Sequence, residues 1–503
     1  MAGLQRKDLN LLSILFLVTL VIFYPIFTAS YLYTDESIQL WAYRPGSGFR
    51  MFIDQGRLVT EWLFIWLFGA VKTVAGVTYI RIFSLVGWLV CLPVWYAVLK
   101  SLMAKDPAYQ YLPFFTCLYL VTSLPFGISI QWASCLELFL AGTSGLVAGF
   151  AFYKAILFTD NKFRIAWVPA IIGIAFGIIS LFTYQTSAGC FLIPFLFHYI
   201  SRKDANKDKV IVLGVIGYFL MYVIYFGLYK LSLVIGNVGH NDRTEIHIDL
   251  LNKLTFFFSH PLKRSFWFNA NIYEFSSVGR ALYKIMLIGL MVFAFVRYGR
   301  EYWKAVKYIV VMLGVFLLSY LPGLIVKENY ASNRTMMALD LCVWLVCIEM
   351  LLYFIKKKML LTIGAITVAC TLVITAWYNL RYQFLRPITD EYAALNKFFK
   401  EHYHPGVKTL HVIKSPIDAF EKKYNIRQSM DEYGVPSTAP YWTMDFLPKQ
   451  LVFEMTGNRQ TGEQLEIKQW DDWETYSKSG ETRTDSVLLV NMPEIINAAK
   501  PAR

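Results

Sequence analysis

Two adjacent carboxylates, Asp35 and Glu36, are the first residues of this sequence whose type and position indicate chemistry. They stand in YLYTDESIQLWAYRPGSGFRMFIDQGRL, which directly follows an uncharged apolar run long enough to cross a bilayer. A carboxylate placed there can accept a proton as a general base. Successive helix positions point about 100° apart, so the two groups cannot act on one reacting atom as a glycosidase pair does. One would carry the chemistry, and the other would orient a neighbouring group.

The same residues also have a plainer interpretation. Thr34 would cap a short helix, and the two acids in its first turn would interact favourably with the helix dipole. Three arginines, Arg44, Arg50 and Arg57, follow in the same stretch, and a simple helix start does not require them. The residues alone leave the catalytic and the structural interpretation open.

The composition is that of a polytopic membrane protein. Of the 503 residues, 56% are hydrophobic and 17% are aromatic, an apolar excess that soluble globular proteins do not show. Apolar runs of about 20 residues, each able to span about 30 Å of hydrocarbon, recur from Leu9 to about Tyr378. The first run has no convincing cleavage signature, so we interpret it as a retained signal anchor.

Basic loops between the spans predict the orientation of the chain. By the positive-inside rule they are cytoplasmic, which places the N-terminus inside and the C-terminus outside. The basic loops are 100–105, 154–164, 202–209, 297–307 and 356–358. The eleven predicted spans are 9–30, 79–99, 112–131, 133–157, 165–183, 185–200, 210–234, 281–297, 308–326, 333–355 and 359–378.

One further apolar segment, from Leu58 to Gly76, is predicted not to cross the membrane. Counting it as a span would place the 100–105 loop outside, and the segment contains Glu61 and Lys72. We expect an amphipathic helix that lies along the outer interface, where its tryptophans are favourably placed.

Cysteine, histidine and charge patterns exclude several classes of site. All seven cysteines lie in apolar runs and the histidines show no compact zinc spacing, so neither a disulfide framework nor a metal site is predicted. Much of the formal net charge of +13 lies in the short basic loops. There it acts as a topology signal, and no nucleic-acid partner is predicted.

The C-terminal part of the chain is predicted to be a separate small domain. We expect a membrane domain over 1–380 and an external α/β domain over 381–503. ITDEYAALNKFFKEHY has helical spacing, whereas KTLHVIKS, KQLVFEMTG and DSVLLVNM are predicted strands. The sequence leaves open whether this domain contacts an acceptor polymer or braces the membrane part.

Several short motifs, taken in order, resemble membrane glycosyltransferases of the GT-C class, in particular the glucosyltransferase II family that modifies bacterial O-antigens. TDES is similar to the acidic pair that follows the first span in this class, and DQGRLVTEWLFIWLFG is similar to its Gly-Arg-Leu element and juxtamembrane helix. TYIRIFSLVGWLV, SLFTYQTS and LPGLIVKENYASNRTMMAL follow. The resemblance covers roughly residues 10–355. The sequence departs from the family pattern at Glu36, where many members have a second aspartate.

The resemblance implies a fold and a reaction. The fold would be a GT-C-like helical membrane domain with a catalytic external loop at 31–78. The reaction would move a hexose, with glucose as the first expectation, from a polyprenyl-phosphate donor to a lipid-linked envelope polysaccharide such as O-antigen. Its place would be the external face of the bacterial inner membrane, among membrane lipids. No cofactor is certain, and assistance by a divalent metal stays open.

The resemblance also implies roles for individual residues. Asp35 is the expected base toward the acceptor hydroxyl, and Glu36 would hold the donor sugar or the rotamer of Asp35. A phosphate leaving group requires positive charge, and the arginine fork matches phosphate oxygens in pairs. The candidate donor-binding residues are Arg57, Arg334, Arg44, Tyr184, Gln185 and Glu328. Plainer roles stay open for these residues: snorkelling arginines, a hydrogen-bonded Tyr-Gln pair and a Glu328–Arg334 salt bridge.

Two other functions remain open at this point. A transporter, flippase or channel for envelope lipids would often show inverted repeats, and no convincing repeat is present. Charges within the predicted spans are few, chiefly Glu137, Asp340 and Glu349, whereas ionisable groups concentrate at the external interface. An O-antigen polymerase would be expected to carry large arginine-rich external loops rather than an acidic pair after the first span.

Overall fold

The computed structural model describes residues 4–103, 109–159, 162–201, 206–239, 245–246, 249–269, 277–482 and 484–498. The described helices are α1 (Arg6–Phe23), α2 (Glu36–Ala42), α3 (Leu58–Ala70), α4 (Val74–Leu102), α5 (Leu112–Val121), α6 (Leu124–Gln131), α7 (Leu138–Ala155), α8 (Trp167–Thr183), α9 (Ile193–Ser201), α10 (Lys207–Gly236), α11 (Leu250–Ser259), α12 (Pro261–Ser265), α13 (Ser277–Tyr298), α14 (Tyr302–Ser319), α15 (Leu321–Ile325), α16 (Met337–Phe354), α17 (Lys358–Tyr378), α18 (Arg386–His402), α19 (Ala419–Tyr424), α20 (Tyr441–Thr456), α21 (Arg459–Glu463), α22 (Trp473–Lys478) and α23 (Met492–Ala498). The strands are β1 (Ile156–Thr159), β2 (Lys162–Ile165), β3 (Thr409–Ile413), β4 (Glu466–Trp470) and β5 (Val487–Asn491).

The helices are those of a membrane protein. Within the described ranges, eight helical segments are long and apolar enough to cross a bilayer, and a ninth is added if α5 and α6, bent by 43°, count as one span. Large apolar side chains point outward from these helices, among them Val223 on α10 and Ile285 on α13. Such exposure is unfavourable in water and is expected where helices meet lipid.

The predicted number of eleven spans is not confirmed. The predicted span 165–183 contains α8, which has 17 residues, and the predicted span 185–200 is divided between the 3-10 helix Gln185–Leu192 and α9. These two segments are consecutive, so removing both from the count leaves the two ends of the chain on opposite sides. The predicted sidedness therefore does not depend on whether this pair crosses.

The apolar segment that begins at Leu58 forms the short helix α3. Its 13 residues extend about 20 Å at 1.5 Å per residue, less than the hydrocarbon thickness of about 30 Å. Trp62 and Trp66 are exposed on its outer face, whereas Glu61 is buried and accepts hydrogen bonds from the Tyr43 hydroxyl and the Phe52 backbone N–H. The short length of α3, with exposed tryptophans on one face and a buried glutamate on the other, favours a position at the membrane interface.

The C-terminal part contains a three-stranded parallel sheet with the order β4-β3-β5. The predicted helix and two of the predicted strands are confirmed as α18, β3 and β5. The prediction of a strand at KQLVFEMTG was wrong, because this segment belongs to α20, a helix that buries Leu447 and Leu451 one helical turn apart. β4 was missed, since its residues are only partly buried and include Lys468.

The C-terminal part and the loop that follows α1 lie on the same side of the helix bundle. The Val74 backbone N–H, at the start of α4, donates to the Glu454 carboxylate on α20 at 2.7 Å, which also places a negative charge at a helix N-terminus. Arg459 stacks on the ring of Trp41, with 4.0 Å between the guanidinium carbon and the ring centroid. These contacts span more than 350 positions of sequence, so the C-terminal part helps to form the loop region.

Site-specific labelling tests the predicted sidedness. A cysteine introduced at Ser479, which is exposed beyond α22, should react in intact cells with a membrane-impermeant maleimide. A cysteine at Ser101, at the end of α4, should react only after permeabilisation, because it adjoins a basic loop. The parent chain, with Cys370 exposed on α17, gives the background. Labelling at Ser101 from outside would reverse the orientation.

Candidate active site

The Glu36 carboxylate is a buried anchor for the loop that follows α1. Its Oε1 accepts a hydrogen bond from the Ala133 backbone N–H at 2.5 Å, and its Oε2 accepts one from the Tyr33 backbone N–H at 2.8 Å. Oε2 also forms an ion pair with Arg81, and both side chains are 0% exposed. Burial raises the pKa of Glu36, and the Arg81 charge and the two backbone donors oppose this shift. Glu36 thus joins α2 to α4 and to the turn after α6.

Arg81 is held by more than its ion pair. Its guanidinium carbon lies 3.7 Å from the centroid of the Tyr31 ring, and Nη2 donates to the Tyr31 carbonyl at 3.0 Å. An arginine so deep in the protein is tolerated only with a matched counter-charge. Arg81 was not among the predicted site residues, although a charge one turn into an apolar run signals a buried partner.

Asp35 lies at the N-cap position of α2, one residue before the anchor, and its side chain is partly exposed. The plainer interpretation had Thr34 as the cap of this helix, which the structure does not show. Thr34 has a left-handed backbone with φ +40°, and Asp35 occupies the cap position. Such a conformation is uncommon for a β-branched residue and is held here by a hydrogen bond from the Thr34 N–H to the Ser437 hydroxyl at 2.9 Å. Strain of this kind concentrates at functional sites.

Arg334 is oriented from several directions. Its guanidinium stacks on Trp132 at 4.5 Å, and its Nη2 donates to Asp431 at 2.8 Å and to the Tyr330 hydroxyl at 2.6 Å. Its Nη1 lies 3.7 Å from Sγ of Cys135. The Arg334 side chain is 16% exposed, so it is held in one plane yet remains accessible at an edge.

Arg57 lies close to the same group of residues. It is the N-cap residue of α3, and its guanidinium stacks on the Tyr184 ring at 4.5 Å. In the described part of the chain its buried Nε has no hydrogen-bond partner. Tyr184 and Glu137 each interact electrostatically with both Arg57 and Arg334. The structure therefore brings together two arginines that lie 277 positions apart.

Glu137 was noted in the sequence only as a charge within a predicted span. It is 1% exposed, and among the described residues its Oε2 has no hydrogen-bond partner. A buried carboxylate oxygen beside two arginines is an acceptor available to a hydroxyl-rich ligand. Glu137 is therefore a candidate residue that sequence analysis did not assign.

Gln185 fixes the loop that carries Arg57. Its side-chain amide donates to the Gln55 carbonyl at 2.7 Å and to the Tyr225 hydroxyl at 2.9 Å. Tyr225 and Tyr229 on α10 donate to the carbonyls of Gly56 and Asp54. Gly56 has φ +72°, and a Cβ there would collide with the Tyr225 hydroxyl. This network matches the plainer interpretation of Gln185 as hydrogen-bonded interface structure.

Two of the predicted donor-binding residues lie outside this cluster. Arg44 is exposed and forms an ion pair with Glu463 of α21 at 2.8 Å. Glu328 is exposed, and its carbonyl accepts from Lys253 at 3.4 Å. The carboxylates that face Arg334 in the described residues are Asp431 and Glu432, so the alternative of a Glu328–Arg334 salt bridge does not describe this structure.

The described residues contain no group of three or more His, Cys, Asp or Glu side chains arranged to hold a metal ion. The polar atoms of the cluster are instead guanidinium, carboxylate, hydroxyl and amide groups. Such a set binds anions and sugar hydroxyls through hydrogen bonds.

Comparison with known families identifies the chain. The model of the family described as glucosyl transferase GtrII matches residues 24–353. The chain belongs to this family. No curated protein and no solved structure matches it. The match contains Asp35, Glu36, Arg57, Tyr184 and Arg334 and ends before the C-terminal part.

Membership in the GtrII family confirms the suspected glucosyltransferase II resemblance. It indicates a glucosyltransferase that acts on bacterial surface polysaccharide, and hence glycosyltransferase activity. The apolar helices make this family member a membrane protein.

The Glu36–Arg81 pair gives a stability prediction. Replacing one partner of a buried ion pair costs about 3–5 kcal/mol because the other charge is left unpaired. Glu36→Gln and Arg81→Leu should each lower the unfolding temperature of the purified protein clearly, and the double variant should be more stable than the sum of the two losses predicts.

Arg44→Ala is the matched control for this prediction. It breaks an exposed ion pair with Glu463, whose side chains are 48% and 41% exposed, and such pairs contribute about 0–1 kcal/mol. Differential scanning fluorimetry in detergent measures all four variants. An unchanged unfolding temperature for Glu36→Gln would exclude the anchoring role.

Proposed function

We propose that the protein transfers a glucosyl residue from a polyprenyl-phosphate donor to a lipid-linked envelope polysaccharide such as O-antigen, at the external face of the bacterial inner membrane. The observation that carries this proposal is the convergence of Arg57 and Arg334 on Tyr184 and Glu137, beside the segment with Asp35. All five residues lie in the region that matches the GtrII family.

Asp35 acts as the general base in this proposal. The bond between the anomeric carbon and the phosphate oxygen breaks, a bond from the acceptor oxygen to that carbon forms, and the acceptor proton passes to Asp35. The acceptor hydroxyl is too weak an acid to lose its proton unaided at neutral pH, so a positioned carboxylate is needed. The partial exposure of Asp35 suits this role, whereas the Glu36 carboxylate is enclosed by three donors. Glu36 is then a positioning residue.

Arg57 and Arg334 stabilise the negative charge that develops on the departing phosphate. Their guanidinium planes are fixed by stacking on Tyr184 and Trp132, so little reorganisation is needed as charge develops. Fixed planes also favour two-pronged contacts with phosphate oxygens. Glu137 would accept hydrogen bonds from the donor sugar, and Tyr184 would line the same space.

Sidedness is part of the proposal. The five basic loops support a cytoplasmic position for the opposite end of the bundle. The external loop and the C-terminal part lie together, so one orientation places the whole site outside.

A transfer assay separates this function from its alternatives. The purified protein is incubated with radiolabelled polyprenyl-phosphate sugars and an envelope polysaccharide. We expect transfer of single sugar residues to the polymer, with glucose as the preferred sugar. Movement of the intact donor across vesicles without transfer would indicate a transporter or flippase, and chain extension by whole repeating units would indicate a polymerase.

The role of Asp35 is tested by Asp35→Asn. The amide keeps the shape of the side chain but cannot accept the proton, so the transfer rate should fall by about 10²–10⁴-fold. Expression and thermal stability should stay close to those of the parent chain. The measurement is initial rate with saturating donor.

Asp249→Asn is a suitable control for Asp35→Asn. Asp249 is an exposed aspartate that also lies at a helix start, where its side chain accepts a hydrogen bond from the Asn252 backbone N–H at 3.2 Å. Its replacement should leave transfer nearly unchanged. Full activity in Asp35→Asn would remove this residue from the chemistry.

The roles of Arg57 and Arg334 are tested by replacing each with Ala, which removes the charge, and with Lys, which keeps the charge but not the planar shape. Arg57→Ala and Arg334→Ala should each raise the KM for the donor and lower kcat by at least about tenfold, and Lys should restore only part of either loss, because an ammonium cannot make a two-pronged contact. Arg427→Ala, an exposed arginine that pairs with Glu421, is the control. Complete rescue by Lys would contradict the two-pronged contact.

A further inference from the structure

A tight turn of the C-terminal part reaches into the candidate active site. We define the acidic turn as residues 429–433. It is closed by hydrogen bonds between Ser429 and Tyr433, from the Ser429 N–H at 2.9 Å and from the Tyr433 N–H at 3.3 Å, and Met430 within it has φ +52°. Asp431 and Glu432 form its tip. The turn lies outside the region that matches the GtrII family.

The acidic turn is attached to family-matched segments by its backbone and by Glu432. The Glu432 carboxylate accepts from the backbone N–H groups of Asn333 at 2.7 Å and Arg334 at 3.0 Å. Burial raises the pKa of Glu432, and the neighbouring Arg334 charge opposes the shift. The Asp431 carbonyl accepts from the Tyr33 hydroxyl at 2.8 Å. Glu432 therefore fixes the backbone that carries Arg334.

Arg264 adds a second attachment. Its Nη2 donates to the Ser429 hydroxyl and to the Asn333 side chain, both at 3.0 Å, and its Nη1 donates to the Ala331 carbonyl at 2.8 Å. The acidic turn is thereby held independently of the Asp431 side chain.

The Asp431 side chain has a different environment from Glu432. It is 45% exposed. Its carboxylate accepts from Arg334 Nη2 at 2.8 Å and, at both oxygens, from the Tyr330 hydroxyl at 2.7 and 2.8 Å. The Asp431 oxygen on Nη2 occupies a place that a phosphate oxygen could take, because carboxylates and phosphates are both anionic acceptors for arginine. Asp431 is thus an internal anion on an arginine of the proposed donor site.

We propose that Asp431 is a further residue of the donor site: a counter-anion that pairs with Arg334 while the site is empty and yields it to the donor phosphate. This rests on the proposed function, in which Arg334 binds that phosphate. A largely buried guanidinium is unfavourable without a counter-charge. Glu432 lies 4.0 Å from Arg334 Nε and is bound to backbone N–H groups, so Asp431 is the carboxylate that meets the Nη2 edge. Asp431 can turn into solvent at small cost because nearly half of it is already exposed.

The same exchange operates on the product. After transfer, the polyprenyl phosphate that remains is an anion on Arg334, and Asp431 competes with it for the guanidinium. The counter-anion therefore weakens donor binding and accelerates release of the leaving group. Removing the charge of Asp431 should lower the KM for the donor and, where release limits turnover, lower kcat as well.

Direct binding of the leaving group tests the inference. A short-chain polyprenyl phosphate without sugar is titrated into the purified full-length protein by isothermal calorimetry. Asp431→Asn, and equally Asp431→Ser, should bind it about two- to fivefold more tightly than the parent chain, the range that corresponds to losing a half-exposed ion-pair competitor. Both variants should remain folded, with an unfolding temperature only slightly below that of the parent, since Glu432 and Arg264 still hold the turn and Asn or Ser can still accept a hydrogen bond from Arg334.

The control is Asp418→Asn. Asp418 is 46% exposed and pairs with Lys422 in the same C-terminal part, so its replacement removes the same charge without touching Arg334 and should leave the affinity unchanged. In Arg334→Ala, addition of Asp431→Asn should give no gain in affinity, because the shared partner is gone.

The possible outcomes distinguish the counter-anion role of Asp431 from the proposed phosphate site at Arg334. Unchanged or weaker binding by Asp431→Asn, with Arg334→Ala still impaired, would overturn the counter-anion role and leave the proposed function intact. An equal gain in Asp431→Asn and Asp418→Asn would also overturn it, as an effect of net charge. Binding that is unaffected by Arg334→Ala would instead contradict the proposed phosphate site itself.

Discussion

The buried ion pair between Glu36 and Arg81 is the interaction on which the rest of the site depends. The Glu36 carboxylate connects two segments of the site. Asp35 is the residue before Glu36, and Ala133, whose backbone N–H donates a hydrogen bond to Glu36, follows Trp132. Trp132 in turn carries the Arg334 guanidinium. The distance between Asp35, the proposed base, and Arg334, which is proposed to bind the phosphate, therefore depends on the buried Glu36 side chain. Three hydrogen-bond donors to Glu36 and the stacking of Arg81 on Tyr31 offset the desolvation of the buried ion pair.

The sequence predicts the parts of this site better than their roles. Order and apolarity were sufficient to predict a helical membrane protein of the glucosyltransferase II family and the segments with Arg57, Tyr184 and Arg334 that the structure brings together. They could not decide which carboxylate is enclosed, because Arg81 lies 45 positions from Glu36 in the chain. Composition likewise could not show that α8 and the 3-10 helix beside it fall short of regular spans, since that depends on where helical hydrogen bonding breaks.

The C-terminal part illustrates a further limit. Its strand β3 was predictable because a short apolar run is buried on both faces, whereas α20 was mistaken for a strand over a window too short to separate the two periods. More important for function, its treatment as an appended domain hid the contacts of Ser437, Asp431 and Glu432 with the membrane part. Arg334 lies in the family-matched region, whereas its partner Asp431 lies outside it. A change in the C-terminal part alone could therefore alter the charge environment of Arg334.

The most direct test of this account is a structure of the protein with a bound polyprenyl-phosphate sugar, determined by electron cryo-microscopy. The account predicts phosphate oxygens within hydrogen-bond distance of Arg57 and Arg334, the anomeric carbon beside Asp35, and Glu36 still paired with Arg81. A donor whose phosphate binds elsewhere, for example beside Arg297 and Lys307 at the opposite end of the bundle, would contradict it.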